Sequence, residues 1–226
     1  MMAVVAMRKR LRVTNCSYCK KPVEFNSNIP KEYAWPFVGR FAHLSRRHIG
    51  TSLFIHGAVT QLYFGEILAL VCYAMPPALE LAKGIAGEEY KDKVLYISTN
   101  CRNPNSPPNV MSWLFSRSFR WLIENTDYRF IVAYALPDVG YGATYQAANF
   151  LYTGLSALRT EYLPDDTILN TRGLPIEFKT KHEGLVHRVR PRKPRYVAII
   201  GRPQEKRMLK DCLKYPILPY PKKVLA

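Results

Sequence analysis

The chain has 226 residues, with 33 Lys and Arg against 17 Asp and Glu, for a formal net charge of +16. Hydrophobic residues make up 48% and charged residues 22%, which excludes a disordered chain, a collagen and a coiled coil. Five Cys, an odd number and sparse for the length, argue against a secreted disulfide scaffold and for a reducing cytoplasm.

In chain order, residues 1–34 read as an extended basic arm and residues 35–226 as one domain. The N-terminus places its apolar residues ahead of Arg8, Lys9 and Arg10, the reverse of a secretion signal. Thr51 to Met75 is rich in Leu, Ile, Val, Phe and Tyr and punctuated by Gly57 and Gly65. It predicts two antiparallel strands, about 53–58 and 66–74. Its most apolar part, Ile67 to Met75, stops at Pro76-Pro77, well short of the ~20 residues that span a bilayer. The expectation is a cytoplasmic protein with no membrane partner. Val94 to Ser98 predicts a short buried strand. A Pro/Asn-rich loop, Cys101 to Asn109, then feeds Val110 to Glu124, where Val110, Met111, Leu114, Phe115, Trp121 and Leu122 predict a helix capped by Asn109 or Ser106. Phe130 to Ala135 predicts another strand, and Ala143 to Tyr152 a second helix ending near Gly154. Tyr196 to Ile200 predicts a late strand, and Gln204 to Leu213 a short basic helix before a Pro-rich tail. This order gives an α+β fold around a mostly antiparallel sheet, not a doubly wound one.

The charge is unevenly spread. Residues 1–50 hold ten Lys/Arg and two acids (+8), residues 51–171 eight and eleven (−3), and residues 172–226 fifteen and four (+11). A near-neutral middle between basic flanks is the footprint of a polyanion binder such as one of DNA; the plainer alternative is a basic surface without a specific partner.

Three features bear on chemistry. The loop–helix junction from Arg102 to Arg117 is a candidate anion site, because a helix N-terminus presents free N–H groups; a connecting loop with an ordinary cap is the equal alternative. Tyr134, Tyr141, Tyr145 and Tyr152, with Asp138, Gln146 and Asn149, form a dense polar-aromatic set. On a helix Tyr145, Asn149 and Tyr152 share a face, a pattern of core packing more often than of a base pocket. Amides in such a stripe need partners, and Asn and Gln are the side chains that read adenine. His43 and His48 lie in a basic stretch but share no helical face, which disfavours a two-His metal site. Cys16-Ser-Tyr-Cys19 is a lone C-x-x-C, and Cys72, Cys101 and Cys212 read as buried thiols.

The block Tyr134-Ala-Leu-Pro-Asp-Val-Gly-Tyr-Gly-Ala-Thr-Tyr-Gln-Ala-Ala-Asn149 resembles the signature of the Mom family of phage DNA modification proteins. Asn109-Val-Met-Ser-Trp-Leu-Phe-Ser-Arg-Ser118 is similar to the family's Ser/Arg-bearing helix, and Ala42-His43-Leu44-Ser45 to its His element. The basic ending, Lys193 to Val197 and Leu218 to Lys222, completes the likeness over about residues 40–222. Three positions depart from it: Leu136 stands where the family has Asp, with Asp138 two places later, Tyr141 follows Gly140 in place of His, and Leu44 replaces an aromatic.

The resemblance implies a GCN5-related N-acetyltransferase-like fold, a mostly antiparallel central sheet flanked by helices. It implies transfer of a small acyl-derived, carbamoylmethyl-type group to adenine N6 in DNA, protecting that DNA from host restriction. Tyr145, Asp138 and His43 would be catalytic, with Tyr145 handling the proton. Arg102, Asn109, Ser112, Ser116 and Arg117 would bind the donor, an acyl-CoA-type or related small molecule, and Tyr141, Gln146 and Asn149 the base. No metal ligand set is carried over, and the metal requirement stays open. The alternatives are an acyl-CoA N-acyltransferase acting on a protein, tRNA or small amine, and a non-catalytic DNA-binding anti-restriction protein.

Overall fold

Along Ile67–Ala74 every residue after the first is buried, which a sheet permits only when both its faces are covered. The computed structural model describes residues 22–42, 49–60, 66–136, 141–163 and 186–221, and it shows that covering. The chain runs β1 (Glu24–Asn26), α1 (Lys31–Phe41), β2 (Ser52–Val59), β3 (Ile67–Ala74), α2 (Leu79–Tyr90), β4 (Val94–Arg102) and α3 (Val110–Asn125). It continues through β5 (Phe130–Tyr134), α4 (Ala143–Ala147), β6 (Leu151–Leu155), β7 (Arg159–Leu163), β8 (Val186–Arg190), β9 (Pro194–Ile199) and α5 (Pro203–Asp211). Seven strands form one sheet in the order β1-β2-β3-β4-β5-β9-β6, and β7 pairs with β8 apart from it. All pairings are antiparallel except that of β4 with β5. The expected α+β fold, with a mostly antiparallel sheet flanked by helices, is what forms.

Alternation along the strands assigns each face its helices. Val71 and Tyr73, Leu95 and Ile97, Ile131 and Ala133 meet α3 through Met111, Leu114, Phe115 and Leu122. Leu70 and Cys72 meet α1 through Ala34, Phe37 and Val38, while Phe130, Val132 and Val197 meet α2 and α5 through Ile85 and Leu209. Leu114, Phe115 and Leu122 are fully buried, and each such side chain contributes about 1.5–3 kcal/mol.

Several expectations need correction. The arm predicted to residue 34 ends sooner: Glu24–Asn26 pairs with β2, and Ile29 and Ala34 are buried; residues 1–21 lie outside the described residues. The helix predicted over 143–152 stops at Ala147 and gives way to β6. The reason is local. Asn149 adopts φ 60, its N–H bonds to Gln146 C=O at 3.0 Å, and Phe150 N–H bonds to Tyr145 C=O at 3.0 Å. That is a Schellman ending, with the left-handed residue at the position that favours Gly or Asn, and Phe150 packs on Tyr145 at 5.2 Å. Asn109 precedes α3 but makes no side-chain cap bond. Cys72 and Cys101 are buried, but Cys212 is only half-buried. Among the described residues no helix is long and apolar enough to cross a membrane.

Candidate active site

β4 and β5 pair only at Val94↔Phe130, Leu95↔Ile131 and Tyr96↔Val132. Beyond Tyr96, β4 stays beside β3 as far as Arg102, while β5 stays beside β9. The two parallel strands part, and a cavity of about 270 Å³ lies where they separate. From Ile97 onward β4 has no strand on that side among the described residues, so its backbone edge is open to a ligand.

Side chains from both faces of the sheet line the cavity. Tyr96 and Tyr134, with ring centroids 6.4 Å apart, line it from one side, and Met111 and Tyr145 from the other. Arg102, Lys193 and the end of α1, Phe41 and Ala42, also line it. The β3–β4 register slips between Cys72↔Thr99 and Tyr73↔Ile97, leaving Ser98 without an opposite residue. This is a β-bulge in the cavity wall, a device that re-aims a strand beside a site. Ser98 Oγ donates to Cys72 C=O at 3.2 Å.

Tyr145 is 6% exposed and donates its hydroxyl to Asn100 Oδ1 at 3.3 Å. Its ring packs on Phe115, Phe150 and Tyr196. Burial pushes the phenol well above its ordinary 10, so it stays protonated near neutral pH, a hydrogen-bond donor and not a base.

The turn into α4 fixes this side chain. Tyr141 and Gly142 have φ 53 and φ 81, two successive left-handed residues, a conformation that persists only when its surroundings enforce it. Tyr196 donates its hydroxyl to Tyr141 C=O, and Gln146 Nε2 donates to the same carbonyl at 3.3 Å and to Tyr196 Oη at 3.1 Å. A Cβ on Gly142 would sit 2.8 Å from Tyr196 Cζ, so only glycine fits beside that ring.

The expected site residues fall into distinct places. Tyr145 and Arg102 line the cavity. Asn109 and Ser116 are exposed and Ser112 half-buried, and none of the three lines it. Arg117 lines a separate groove. Tyr141 contributes its carbonyl and Gln146 its amide to the turn, while Asn149 is exposed and ends α4. Asp138 and His43 lie outside the described residues. Asn100, Ser98 and Tyr96 carry no site signal in the sequence pattern, and Tyr134 stands there only as part of the polar-aromatic set; the divergence of β4 and β5 brings all four to the cavity.

A second buried polar cluster sits behind α3. His56 Nδ1 lies 2.8 Å from Ser118 Oγ, and Tyr73 Oη lies 2.7 Å from the same oxygen. His56 Nε2 is buried without a partner.

Among solved structures, similar folds include a ribosomal-protein-S18-alanine N-acetyltransferase from Escherichia coli. It is 11% identical over 80% of this chain and 97% of that one, with a TM-score of 0.43. A polyamine N-acetyltransferase from Drosophila melanogaster is 10% identical over 78% of this chain and 100% of that one, with a TM-score of 0.41. A ribosomal-protein-S5-alanine acetyltransferase from Vibrio fischeri is 11% identical over 66% of this chain, which spans 62% of that chain, with a TM-score of 0.40. No protein of curated function matches in sequence. The model of the Mom protein family matches residues 25–222, a span that takes in the parting strands, the Tyr145 turn and the basic ending, and the chain belongs to that family.

Proposed function

We propose that this protein transfers a small acyl-derived group from an acyl-CoA-type donor to N6 of adenine in DNA. The observation that carries the reading is the cavity at the parting of β4 and β5, where the open β4 edge meets the buried phenol of Tyr145. Membership of the Mom family and the basic flanks, +8 and +11, support DNA as the acceptor.

The lining suits a donor of this kind. An amide-bearing arm needs backbone partners, which the β4 edge from Ile97 offers, and its phosphates need cations such as Arg102 and Lys193. Adenine N6 is a weak nucleophile because its lone pair is delocalised into the ring, and within a duplex it is hidden until the base turns out. In the transfer N6 attacks the thioester carbonyl carbon of the donor, the carbon–sulfur bond breaks, the sulfur leaves as thiolate and takes up a proton, and N6 gives up a proton. Tyr145, held neutral by burial, supplies a proton to the leaving group. A separate base must take the N6 proton, and Asp138 or His43, expected as the helper of Tyr145, is the candidate for that part.

Mass spectrometry of nucleosides from DNA of cells expressing the protein tests the reading. A modified deoxyadenosine is expected, and Tyr145→Phe, which keeps the ring packing, is expected to cut its yield rate by about 10²–10⁴. Finding only unmodified deoxyadenosine would overturn the reading; full activity in Tyr145→Phe would remove the phenol from the mechanism.

A further inference from the structure

The face of α3 turned away from the cavity carries a second groove, about 460 Å³, between that helix and β1. We propose that this groove holds one nucleotide of the DNA strand, its base against Trp113, Trp121 and Phe25 and its phosphate on Arg117 and Arg120. The inference rests on DNA being the substrate and adds a second place where the strand is held.

The groove's size falls in the range of small-molecule sites, and its aromatic walls are fixed before any ligand arrives. Trp121 lies 4.9 Å from His56 and 5.5 Å from Phe54, and Phe25 lies 5.4 Å from His56. Base-on-aromatic stacking is the sequence-tolerant part of single-strand binding. The Arg117 guanidinium stands over the Trp113 ring at 5.7 Å, a mixed cationic and aromatic surface. Arg117 Nε and Trp113 Nε1 are both buried without a partner. Two orphaned donors on one wall call for a ligand bearing acceptor oxygens.

Glu24 and Glu124 line the groove as well, so it is not a plain anion site. Two carboxylates and two guanidiniums match a ligand that is itself mixed. A nucleotide presents an anionic phosphate for Arg and, on most base edges, N–H donors that a carboxylate accepts. The two sites also share one helix. Met111 lines the cavity and Arg117 the groove. They are separated by ~9 Å along the helix axis at about 1.5 Å per residue. With the ~10 Å across the helix added, about four nucleotides at about 3.4 Å each join the two sites.

The test is fluorescence anisotropy of a short single-stranded oligonucleotide with the full-length protein, at salt from about 50 to about 200 mM. Trp113→Leu and Arg120→Gln are each expected to weaken binding by about tenfold, and Arg120→Gln to lower the salt slope by about one. Arg120 is exposed, so its variant keeps the fold, as a thermal melt will show. Wild-type affinity in both variants would overturn the inference. So would unchanged DNA binding together with a loss of self-association in sedimentation, which would give the groove to a second copy. Nucleoside mass spectrometry separates the two readings: modified adenine with unaltered oligonucleotide binding in the variants sinks only the groove. Weakened binding in the variants without any modified adenine sinks only the transferase.

Discussion

Lowering the pH from about 7 to about 5 should destabilise the fold through one residue, His56. It is fully buried on β2, with Nδ1 on Ser118 and with Phe25, Phe54, Tyr73 and Trp121 around its ring. Burial lowers its pKa from 6.5 to about 3. The unfolded chain therefore takes up a proton near 6.5 that the folded chain refuses. Stability is complete above that value and is lost as the pH falls through it toward 3. At about 1.4 kcal/mol per unit, the loss between pH 7 and pH 5 is about 2 kcal/mol. The figure depends on the unfolded value and is insensitive to the folded one so long as that stays below about 4. In a chain of this length it corresponds to roughly 4–8 °C in Tm. Glu88, whose carboxyl is held down by the hydrogen bond from Lys91, titrates below this window. Urea unfolding at pH 7, 6 and 5 should show the loss in the wild type and not in His56→Gln, whose amide can still meet Ser118 but cannot titrate. Equal slopes in the two proteins would refute the reasoning.

Two further substitutions probe the turn that holds Tyr145. Gly142→Ala places a Cβ against the Tyr196 ring at a residue with φ 81. It should cost about 1–3 kcal/mol in a thermal melt and reduce adenine modification with it. Asn149→Gly should leave both stability and DNA modification near wild type, since Asn149 serves as a left-handed helix end, while Asn149→Ala should lose about 1 kcal/mol or more. An inactive but stable Asn149→Gly would return this residue to base recognition.

The strands and α3 were legible because their apolar runs are long and follow one period. The positions of β2, β3, β5 and α3 match the expectation to within a residue or two. α2 was not legible. Its helix is interrupted at Gly87, φ 79, and Gly84 leaves room for the Tyr215 hydroxyl, which a Cβ would meet at 2.8 Å, a contact between residues far apart in the chain. The end of α4 was hidden for a similar reason. Period alone carried the helix on through Asn149, whereas the deciding facts were its tolerance of positive φ and the packing of Phe150 on Tyr145. Asn100 and Ser98 gave no signal at all. Their role comes from the register slip in β4 and from the departure of β5, neither of which is written in residue type.

This separates specificity of sequence from chemistry in the block that marks the family. Of Tyr141, Tyr145, Gln146 and Asn149, only Tyr145 turns a side chain to the cavity. Gln146 holds the Tyr141 carbonyl and the Tyr196 hydroxyl, Gly142 makes space for Tyr196, and Asn149 reverses the chain so that Phe150 closes on the Tyr145 ring. The described residues of the block therefore fix one buried phenol beside Asn100. A phenol that stays protonated at neutral pH and is fixed to about a rotamer is a preorganised hydrogen-bond donor, the kind of group for which misplacement by an ångström is costly. The basic flanks, +8 and +11, fit the DNA acceptor proposed above, and the described part of the turn adds to it the Tyr145 hydroxyl beside Asn100.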